Sequence, residues 1–491
     1  MVNRANAEVL VIGSGAGGAV TALELAEAGI DVLVLEEGGR FELEQYGQSS
    51  STAMPMLYRR RGMTPIVGRV PIGYVEGCCL GGSTEINSGF WHRAPREILA
   101  RWNVQTDLHG ASEDDLAPHY AWAEQMLGVG LHAGPWPKST ELFARGVERM
   151  GWSYQEVPRA APGCRGTNTC AQGCPTGAKQ GMSRRILPAA ERAGARIVTR
   201  TRVLEILKHK RRVTGVIARR TRPDGTRRVL RIDAENIFVC AGPTETPSLL
   251  LRSGIKAHAA NSLRIHPYLK VAAVFDEPVG ASTTPLPLLQ VKEFAPDLTL
   301  GGAFFSPGQL AMTLSEDWPR YSDRMLQKEE MALYYVGVKG AGKGWVHPNV
   351  LGEDSTEAHY ELSPVDARNL GVGLARIGQL LLAAGAREVI PSAWGVGPMI
   401  RERDAVRWLD EPLPIDGLGL VTVHAFSSCP IGERRDRCVA DSYGKVFAVD
   451  NLRISDASML PDSPGVNPQG TVMALARRNA RQFLDERRAK R

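Results

Sequence analysis

The fold is decided by "AEVLVIGSGAGGAVTALELAEAGIDVLVLEEGG", the stretch Ala7–Gly39. Ala7–Ile12 is apolar enough to predict a buried strand, and Ala16–Ala28 repeats apolar residues at helical spacing. A second predicted strand, Asp31–Leu35, leads into Glu36. Between the first strand and the helix lies a G-x-G-x-x-G pattern, formed by Gly13, Gly15 and Gly18. Strand, glycines, helix, strand and acid in this order indicate a dinucleotide-binding βαβ unit.

Each of these residues has a physical role in such a unit. Gly13 allows the tight turn, and Gly15 lets backbone approach a pyrophosphate at the helix N-terminus. Gly18 lets the helix pack closely on the strand. Glu36 lies at the offset where a carboxylate binds ribose hydroxyls, which disfavours the 2′-phosphate of NADP. FAD and NAD both remain, because this spacing does not separate them.

Length and charge restrict the number of domains and the class of binding partner. The 491 residues predict two or three domains at about 150 residues each. The 59 basic and 53 acidic residues give a mild formal net charge of +6. Part of the excess lies in "KHKRRVTGVIARRTRPDGTRR" (Lys208–Arg228), which would suit an anionic partner or a β-hairpin with arginines on its wet edge. The hairpin is favoured and no nucleic-acid partner is expected, because neither aromatic residues nor a nucleic-acid motif accompany the charge.

The N-terminus and the cysteine content indicate a compartment. "MVNRANAEVLVIG" passes almost at once into a strand and leaves no room for a signal peptide. No apolar run approaches the ~20 residues of a membrane helix, so no transmembrane segment is expected. Eight cysteines are too sparse for a secreted disulfide scaffold. The sequence therefore predicts a cytoplasmic protein.

A second glycine motif, "GCCLGGSTEINSGFWHRAP" (Gly77–Pro95), suits backbone that runs close to a flat cofactor. Here the chain resembles the glucose–methanol–choline (GMC) family of FAD-dependent oxidoreductases, whose second signature reads G-x-x-L-G-G-S-x-x-x-N. Three later stretches resemble further landmarks of the family: "FVCAGPTETPSLLLRSGI" (Phe238–Ile255), "NSLRIHP" (Asn261–Pro267) and "YGKVFAVDNLRISDASMLPDSPGVNPQGTVMALARRNA" (Tyr443–Ala480). The resemblance spans nearly the whole chain and favours FAD over NAD.

The resemblance implies an α/β fold in which a Rossmann-like FAD-binding domain is interleaved with an antiparallel-sheet substrate domain. The expected FAD-binding stretches are residues 1–100, 191–262 and 426–491, and the expected substrate stretches are 101–190 and 263–425. Within the last, "MALYYVGVKG" predicts a strand and "ARNLGVGLARIGQLLLAAG" a long helix. The residues implied at FAD are Gly13, Gly15, Gly18, Glu36, Gly81, Gly82, Ser83, Asn87, Val203, Ala241, Asp456, Ala457, Asn467 and Pro468.

"VTVHAFSSCPIG" (Val421–Gly432) places His424 at the end of an apolar, valine-rich run. Such a histidine is a satisfied core residue, a metal ligand or a catalytic base. No His/Cys/carboxylate set with ligand spacing surrounds it, so no metal is expected. In the GMC family, a histidine near the C-terminus takes the hydroxyl proton, and a second histidine or an asparagine fixes the alcohol oxygen. The resemblance assigns these roles to His424 and Asn467, and a pKa near ~6.5 suits an imidazole to the first.

The chain departs from the family pattern in two places. The family commonly reads H-x-x-G-T-C-x-M-G at the histidine, whereas Ser427, Ser428 and Ile431 stand here for Gly, Thr and Met. This departure leaves the base in place but weakens any substrate assignment by analogy. Some relatives attach flavin covalently to a histidine directly before the signature asparagine. Ile86 occupies that position, so FAD is expected to bind non-covalently.

A cysteine cluster, "GCRGTNTCAQGCPTGAKQGM", contains Cys164, Cys170 and Cys174. Three interpretations stay open: structural thiols at the substrate-domain entry, a local disulfide, or a metal site, although the spacing matches neither a zinc ribbon nor a ferredoxin run. A GMC subgroup that acts on long-chain, sterol-like or sugar alcohols carries a similar G-C-x-x-G-A-K stretch. Lys179 and Thr176 are candidates for contact with the substrate or the flavin edge.

The expected function is oxidation of an alcohol to a carbonyl compound by hydride transfer to flavin N5. The expected partners are a small-molecule alcohol and oxygen or another electron acceptor. Two other classes stay open: a hydroxynitrile-lyase-like flavoprotein without net redox chemistry, and a non-catalytic flavin-binding protein. The pairing of His424 with Asn467 argues against the last, because a structural flavin needs no base.

Overall fold

The structure is a computed structural model that describes residues 3–255, 262–286, 288–349 and 355–489. Asn261, the first residue of the NSLRIHP motif, lies outside these ranges. Two large sheets organise the described chain, and each has its own buried apolar core.

The strands, in chain order, are β1 (Asn3–Ile12), β2 (Val32–Leu35), β3 (Tyr58–Val67), β4 (Ile72–Gly77), β5 (Tyr154–Glu156), β6 (Arg196–Val198), β7 (Thr201–His209), β8 (Arg212–Thr221), β9 (Arg227–Val239), β10 (Arg264–Ile265), β11 (Tyr268–Val274), β12 (Leu289–Val291), β13 (Leu298–Gly302), β14 (Met331–Val338), β15 (Lys343–Pro348), β16 (Thr356–Glu361), β17 (Glu388–Pro391), β18 (Leu420–Thr422), β19 (Ala425–Phe426) and β20 (Leu452–Ile454).

The α-helices, in the same order, are α1 (Ala16–Glu27), α2 (Ser50–Leu57), α3 (Arg96–Thr106), α4 (Glu113–Leu127), α5 (Lys138–Met150), α6 (Ile186–Arg192), α7 (Glu245–Arg252), α8 (Pro307–Leu314), α9 (Trp318–Tyr321), α10 (Pro364–Ala383), α11 (Glu402–Val406) and α12 (Gln469–Arg488).

The first sheet contains the predicted βαβ unit. Its strand order is β6-β2-β1-β9-β8-β7, and β20 also pairs with β9. β1 pairs in parallel with both β2 and β9, which brings the carboxyl ends of β1 and β9 side by side at Ile12 and Val239. Helix α1 ends shortly before Gly29, whose φ of +77° is the left-handed conformation that often terminates helices. The basic segment forms the β8–β9 hairpin, as predicted.

The second sheet has eleven strands in the order β15-β16-β3-β4-β18-β11-β14-β13-β12-β5, with β17 paired to β11. Most pairs are antiparallel, and β16–β3 and β18–β4 are the parallel exceptions within the described ranges. The predicted strand is β14 and the predicted long helix is α10, which begins with a capping box at Ser363. The predicted α/β fold with two interleaved sheets is therefore confirmed.

The sheets show where the chain crosses between them. β3 and β4 pair in the second sheet, although residues 58–77 fall in the first expected FAD-binding stretch, 1–100. The chain therefore enters the second sheet soon after β2 and returns to the βαβ unit at the second glycine motif. The exact domain limits stay a proposal. Within the described ranges, no helix is both long and apolar enough to cross a membrane.

Candidate active site

One cavity of about 430 Å³ lies between the two sheets. Gly13, at the end of β1, and Cys240, at the end of β9, contribute to its wall from the first sheet. Tyr268 in β11 and His424 after β18 contribute from the second. The fold thus brings the N-terminal glycine motif and the C-terminal histidine to one space.

The three glycines of the first motif meet different constraints. Gly13 has a φ of +101°, and a Cβ there would lie 2.2 Å from the Cys240 carbonyl oxygen. A Cβ on Gly18 would lie 2.1 Å from the Gly13 carbonyl oxygen, so the close approach of α1 requires glycine. A Cβ on Gly15 would meet no atom within 4 Å, because this residue borders the open cavity. The geometry agrees with a turn at Gly13, packing at Gly18 and an accessible backbone at Gly15.

The second glycine motif packs directly against the first. Gly82 has a φ of +58°, and a Cβ on it would lie 3.1 Å from the Cα of Gly15. Ser14 joins the motifs: its Oγ donates to Glu36 Oε2 at 2.6 Å and accepts from the Gly81 N–H at 3.0 Å. Sequence reasoning missed Ser14, because the variable positions of G-x-G-x-x-G carry no signal of their own.

Glu36 lines the cavity but is 6% exposed. Its Oε2 accepts from the N–H and the hydroxyl of Ser14, and its Oε1 accepts from the Gly38 N–H at 2.8 Å. A carboxylate has about four acceptor sites, so roughly one stays available to a hydroxyl in the cavity. Burial raises the pKa of Glu36, and the same hydrogen bonds act in the opposite direction.

Most of the other residues implied at the cofactor line this cavity: Gly82, Ser83, Asn87, Val203, Ala241, Asp456, Ala457, Asn467 and Pro468. Gly18 and Gly81 do not line it. The Asn87 amide donates to Gln469 Oε1 at 2.6 Å, which ties the second glycine motif to the start of α12. Gln469 also lines the cavity and had not been predicted.

The carboxylate of Asp456 forms hydrogen bonds with other residues of the protein. It accepts three hydrogen bonds, from Ser458 N–H at 2.7 Å, Gly242 N–H at 3.0 Å and the Thr246 hydroxyl at 2.5 Å. Burial raises its pKa, and these donors oppose that shift. Asp456 therefore fixes the loop after β9 against the segment after β20, at the cavity wall.

A buried ion-pair network that the sequence does not indicate borders the cavity. Arg59 Nη1 lies 2.9 Å from Glu37 Oε2, and its Nε lies 2.9 Å from Glu76 Oε2. Arg202 Nη1 and Nη2 lie 2.6 Å from Glu37 and 2.8 Å from Glu245. Burial works against ionisation of Glu37, but the two arginines lower its pKa to about 2. These charges hold β3, β4, β7 and α7 in fixed positions around the cavity.

His424 lies in the short link between β18 and β19, which belong to different sheets. The Thr422 hydroxyl binds both its N–H, at 3.2 Å, and its carbonyl, at 2.9 Å. The His266 N–H also donates to that carbonyl, at 3.2 Å. The backbone of His424 is thus fixed on both sides, and its ring lines the cavity.

The structure brings His424 and Asn467 together. Asn467 lies just before α12, and its Nδ2 is 3.2 Å from His424 Nε2. Both residues line the cavity. The two residues singled out by the resemblance therefore form a pair that faces the same space as the glycine motifs.

Behind His424, a hydrogen-bond chain fixes its tautomer. The chain ends at the Lys339 carbonyl, which can only accept, so the Ser463 hydroxyl donates to it at 2.5 Å. His266 Nε2 must then donate to Ser463 Oγ at 2.7 Å, which leaves His266 Nδ1 as the acceptor for His424 Nδ1–H at 3.0 Å. The Nε2 of His424 consequently has a free lone pair, which agrees with the amide donor of Asn467 beside it.

The surroundings keep both imidazoles neutral. Burial lowers the pKa of His424 to about 3, and burial together with His424 lowers that of His266 well below its ordinary value. The Tyr268 hydroxyl lies 3.0 Å from the same Nδ1 of His424, and burial holds its pKa well above the usual range. His424 is therefore uncharged near neutral pH, with an unprotonated Nε2 that faces the cavity.

Ser427 occupies one of the positions at which the chain departs from the family pattern. Its φ is +65°, in the left-handed region that favours the glycine common at this position. Its buried hydroxyl has no hydrogen-bond partner among the described residues. The adjacent Ser428, in contrast, donates its hydroxyl to the Pro243 carbonyl at 2.6 Å.

The cysteine segment borders the cavity at Ala171. All eight cysteines of the chain lie in the described ranges and are free thiols, so the disulfide interpretation is wrong. The Sγ atoms of Cys164 and Cys170 lie 3.7 Å and 3.4 Å from the buried Arg159 guanidinium. Among the described residues, no group of three or more His, Cys, Asp or Glu is arranged to hold a metal ion.

Lys179 and Thr176 do not line the cavity, so their predicted contact with substrate or flavin is wrong. Lys179 is buried, and its Nζ donates to the carbonyls of Glu85 at 2.6 Å, Asn87 at 2.8 Å and Cys170 at 2.9 Å. These bonds turn the ammonium into an anchor for the second glycine motif. The Thr176 hydroxyl lies 3.3 Å from Cys174 Sγ, within the cysteine segment itself.

The cavity fits a bound dinucleotide. Gly15 is the N-cap of helix α1 and provides no side-chain cap, and the space beside Gly15 is open. Uncapped N–H groups at a helix N-terminus favour a phosphate there. The remaining acceptor site of Glu36 suits a ribose hydroxyl on the same side.

Comparison with known proteins then decides the family. Residues 9–281 and 345–476 match the N-terminal and C-terminal profiles of GMC oxidoreductase. The chain belongs to the GMC oxidoreductase family. A GMC-type oxidoreductase of Sinorhizobium fredii is 40% identical over 478 residues, which cover 97% of this chain and 94% of the relative.

More distant relatives have named activities. The long-chain-alcohol oxidase FAO4B of Arabidopsis thaliana is 26% identical, over 97% of this chain and 67% of the relative. The crystal structure of pyridoxine 4-oxidase from Mesorbium loti superposes with a TM-score of 0.71 at 16% identity, covering 98% of this chain and 99% of that one. This GMC protein is a flavin-dependent oxidoreductase that acts on CH–OH donors, with a small-molecule substrate and an electron acceptor.

Proposed function

We propose that this GMC protein oxidises an alcohol to a carbonyl compound, with non-covalently bound FAD and with His424 as the base. One observation carries the proposal: His424 Nε2 has a free lone pair, 3.2 Å from the Asn467 amide, in the cavity that the glycine motifs border.

The chain offers a complete set of contacts for FAD. The N-terminus of α1 and Gly15 would hold the pyrophosphate, and Glu36 the adenosine ribose. The second motif, with Gly82, Ser83 and Asn87, would lie along the rest of the cofactor. Ile86, which lines the cavity, cannot form the histidyl link, so the binding is non-covalent. When bound, FAD supplies the acceptor for a hydride from the carbinol carbon.

His424 and Asn467 act on the hydroxyl group of the alcohol. His424 Nε2 accepts the hydroxyl proton, because the chain through His266 and Ser463 keeps the only ring proton on Nδ1. The Asn467 amide donates to the alcohol oxygen and holds it beside Nε2, since misplacing the oxygen would lose the advantage of proximity. After proton transfer, the imidazolium on His424 is stabilised at Nδ1 by His266 Nδ1 and by the Tyr268 hydroxyl oxygen.

Two finer assignments belong to the same proposal. The acceptor that reoxidises the cofactor is oxygen or another oxidant. The cysteine-containing stretch supports membership of the subgroup that acts on long-chain, sterol-like or sugar alcohols, and the likeness to a long-chain-alcohol oxidase supports the first of these.

An anaerobic reduction screen tests the proposal. The purified holoprotein is mixed without oxygen with aliphatic, sterol, aromatic, terpene and sugar alcohols, and the flavin absorbance is followed. We expect at least one class to bleach the flavin, and His424→Ala to slow that bleaching. Admission of air then separates an oxidase, whose colour returns quickly, from a dehydrogenase.

Two outcomes would overturn it. Release of cyanide from a hydroxynitrile without bleaching would make the protein a lyase. Full flavin occupancy with no response to any alcohol, in the protein and in His424→Ala alike, would leave a non-catalytic flavin-binding protein.

A further inference from the structure

A lysine without an acidic partner lies in the wall of the same cavity, close to the proposed base. Lys270 follows Tyr268 by two residues in β11, so both side chains project from the same face of the strand. Both line the cavity, and the Tyr268 hydroxyl contacts His424 Nδ1. Lys270 is therefore one strand repeat from Tyr268, the residue that contacts His424.

The ammonium group of Lys270 has unused hydrogen-bonding capacity. Its Nζ donates to Gln309 Oε1 in α8, which also lines the cavity. An ammonium has three donors, so the neutral amide leaves two of them available. Across the parts of the chain that the structure describes, no carboxylate lies within ion-pair distance of Lys270. Burial lowers the pKa of Lys270 to about 8, so it is mostly protonated at neutral pH.

The wall of the same cavity contains many apolar side chains, and Tyr335 lies opposite Lys270 in the neighbouring strand β14. The apolar side chains come from several elements: Met54, Leu286, Phe304, Met312 and Val423. A half-buried cation beside such groups is unfavourable unless an anion pairs with it. A wholly apolar alcohol would leave that cost uncompensated.

We propose that Lys270 and Gln309 bind a carboxylate that the alcohol substrate carries at some distance from its hydroxyl. The substrate is then an apolar hydroxy acid, and this assignment rests on the proposed function. A carboxylate offers two oxygens to the two available donors and one negative charge to the single cation. A phosphate dianion would leave one charge uncompensated in an apolar cavity.

The strand geometry restricts the substrate further. Lys270 lies one strand repeat, about 7 Å, beyond Tyr268, so a gap along the cavity wall separates the hydroxyl at His424 from the carboxylate at Lys270. A 2-hydroxy acid, whose two groups are on adjacent carbons, does not span it. Hydroxy acids with an intervening aliphatic chain do.

The kinetic test compares three compounds with the same chain: 10-hydroxydecanoate, its methyl ester and 1-decanol. Anaerobic flavin reduction is measured for the holoprotein, Lys270→Met and Lys270→Arg. We expect the holoprotein to prefer the hydroxy acid over the ester by roughly 10- to 100-fold in kcat/KM, the range of a charge-assisted hydrogen-bonded pair. Lys270→Met should abolish this preference and should use 1-decanol at least as well as the unchanged protein does, because the uncompensated cation is gone. Lys270→Arg should keep part of it.

A binding test does not depend on flavin reduction. Decanoate, which has no hydroxyl, is titrated into the holoprotein by calorimetry, and we expect it to bind at least tenfold more weakly to Lys270→Met. Lys343→Met is the matched control, because Lys343 is an exposed lysine in β15 away from the cavity. It should bind decanoate like the unchanged protein.

The outcomes separate this inference from the proposed function. Equal use of 10-hydroxydecanoate and its ester, unchanged in Lys270→Met, would overturn the carboxylate site and leave the alcohol oxidation standing. Lysine-dependent decanoate binding without flavin reduction by any alcohol would support the carboxylate site and refute the oxidation. A changed flavin spectrum or flavin content in ligand-free Lys270→Met would show that Lys270 contacts the cofactor, and would overturn the inference.

Discussion

The Nδ2 of Asn467 lies 3.2 Å from the Nε2 of His424, across 43 residues of sequence. His424 is held at a link between two sheets, and Asn467 at the start of a helix that packs on helix α1 of the βαβ unit. The pair therefore exists only when the two interleaved sheets are assembled. This relationship makes the proposed chemistry testable, because each partner can be removed without touching the glycine motifs.

We expect His424→Ala to keep its flavin and to slow flavin reduction by about 10²–10⁴-fold, the usual range for a positioned acid–base group. Burial lowers the pKa of His424 to about 3, so the neutral ring persists as pH falls through 6.5. The acidic limb of kcat/KM should therefore lie below pH 6.5, and the alanine variant should lack it. Stopped-flow reduction across pH measures both effects.

Asn467→Ala is the matched variant for this experiment. It should also slow reduction, because the alcohol oxygen loses its donor, but asparagine does not titrate and the acidic limb should stay. A His424→Ala protein that reduces flavin at the normal rate would make the histidine structural.

His266 should act as a positioning residue through the tautomer of His424. We expect His266→Leu to slow flavin reduction roughly tenfold or more, because His424 Nδ1–H loses its acceptor and the ring can present the wrong nitrogen. His266→Asn, whose Oδ1 can accept the same hydrogen bond, should recover much of the rate. Equal rates in the two variants, with equal thermal stability, would exclude the tautomer role.

The sequence predicted the local secondary structure and the site residues that belong to spaced motifs. The βαβ unit, the basic hairpin, β14 and α10 follow from periodicity and turn residues, and the family resemblance pointed to His424 and Asn467. The sequence could not predict the role of Ser14, the contact of His266 with His424, or the ion-pair network of Arg59 and Arg202. Those contacts join residues far apart in sequence. Ser14 and His266 lie inside recognised motifs, but a motif does not report which distant residue a side chain contacts.

The wrong expectations have the same cause. Lys179 was a candidate for contact with substrate or flavin because it lies in a suggestive motif, but its ammonium is surrounded by three backbone carbonyls. Three nearby cysteines allowed a disulfide, but the thiols of Cys164 and Cys170 contact the Arg159 guanidinium instead. The cytoplasmic location, which no contact reports, stays a prediction.

Ser427→Gly should stabilise the fold. Glycine relieves a left-handed φ of +65° and removes a buried hydroxyl without a described partner, so we expect a gain of about 1 kcal/mol in the free energy of unfolding. Chemical denaturation measures it. Ser428→Gly is the control and should destabilise the fold, because it removes the hydrogen bond to the Pro243 carbonyl. A destabilised Ser427→Gly would show that the serine hydroxyl has a role that these contacts do not reveal.

The flavin should come away from the chain on denaturation. Ile86 precedes Asn87 and packs among apolar side chains, so it offers no nucleophile to the cofactor. Acid precipitation should leave the yellow colour in the supernatant, and the mass of the denatured chain should equal that of its sequence. Colour in the washed pellet would contradict non-covalent binding.

Glu36→Gln and Glu36→Ala should lower flavin affinity more than they change the chemistry. The carboxylate lies at the end of β2 in the first sheet, whereas His424 is held by strands of the second and of the small β10–β19 sheet. We expect purified variants to contain less flavin, and variants reloaded with FAD to be reduced within a few-fold of the normal rate. Flavin content by absorbance and reduction by stopped flow measure the two effects separately.

Ser14→Ala separates the two roles of Glu36. The carboxylate holds Ser14 and Gly38 in place, and it also keeps about one acceptor site for a ribose hydroxyl. Ser14→Ala removes the link between the glycine motifs but leaves the carboxylate, so it should weaken flavin binding less than Glu36→Ala does. Equal losses in the two variants would mean that Glu36 only supports the loop. Full flavin occupancy in Glu36→Ala, with turnover alone reduced, would show that the ribose assignment is wrong.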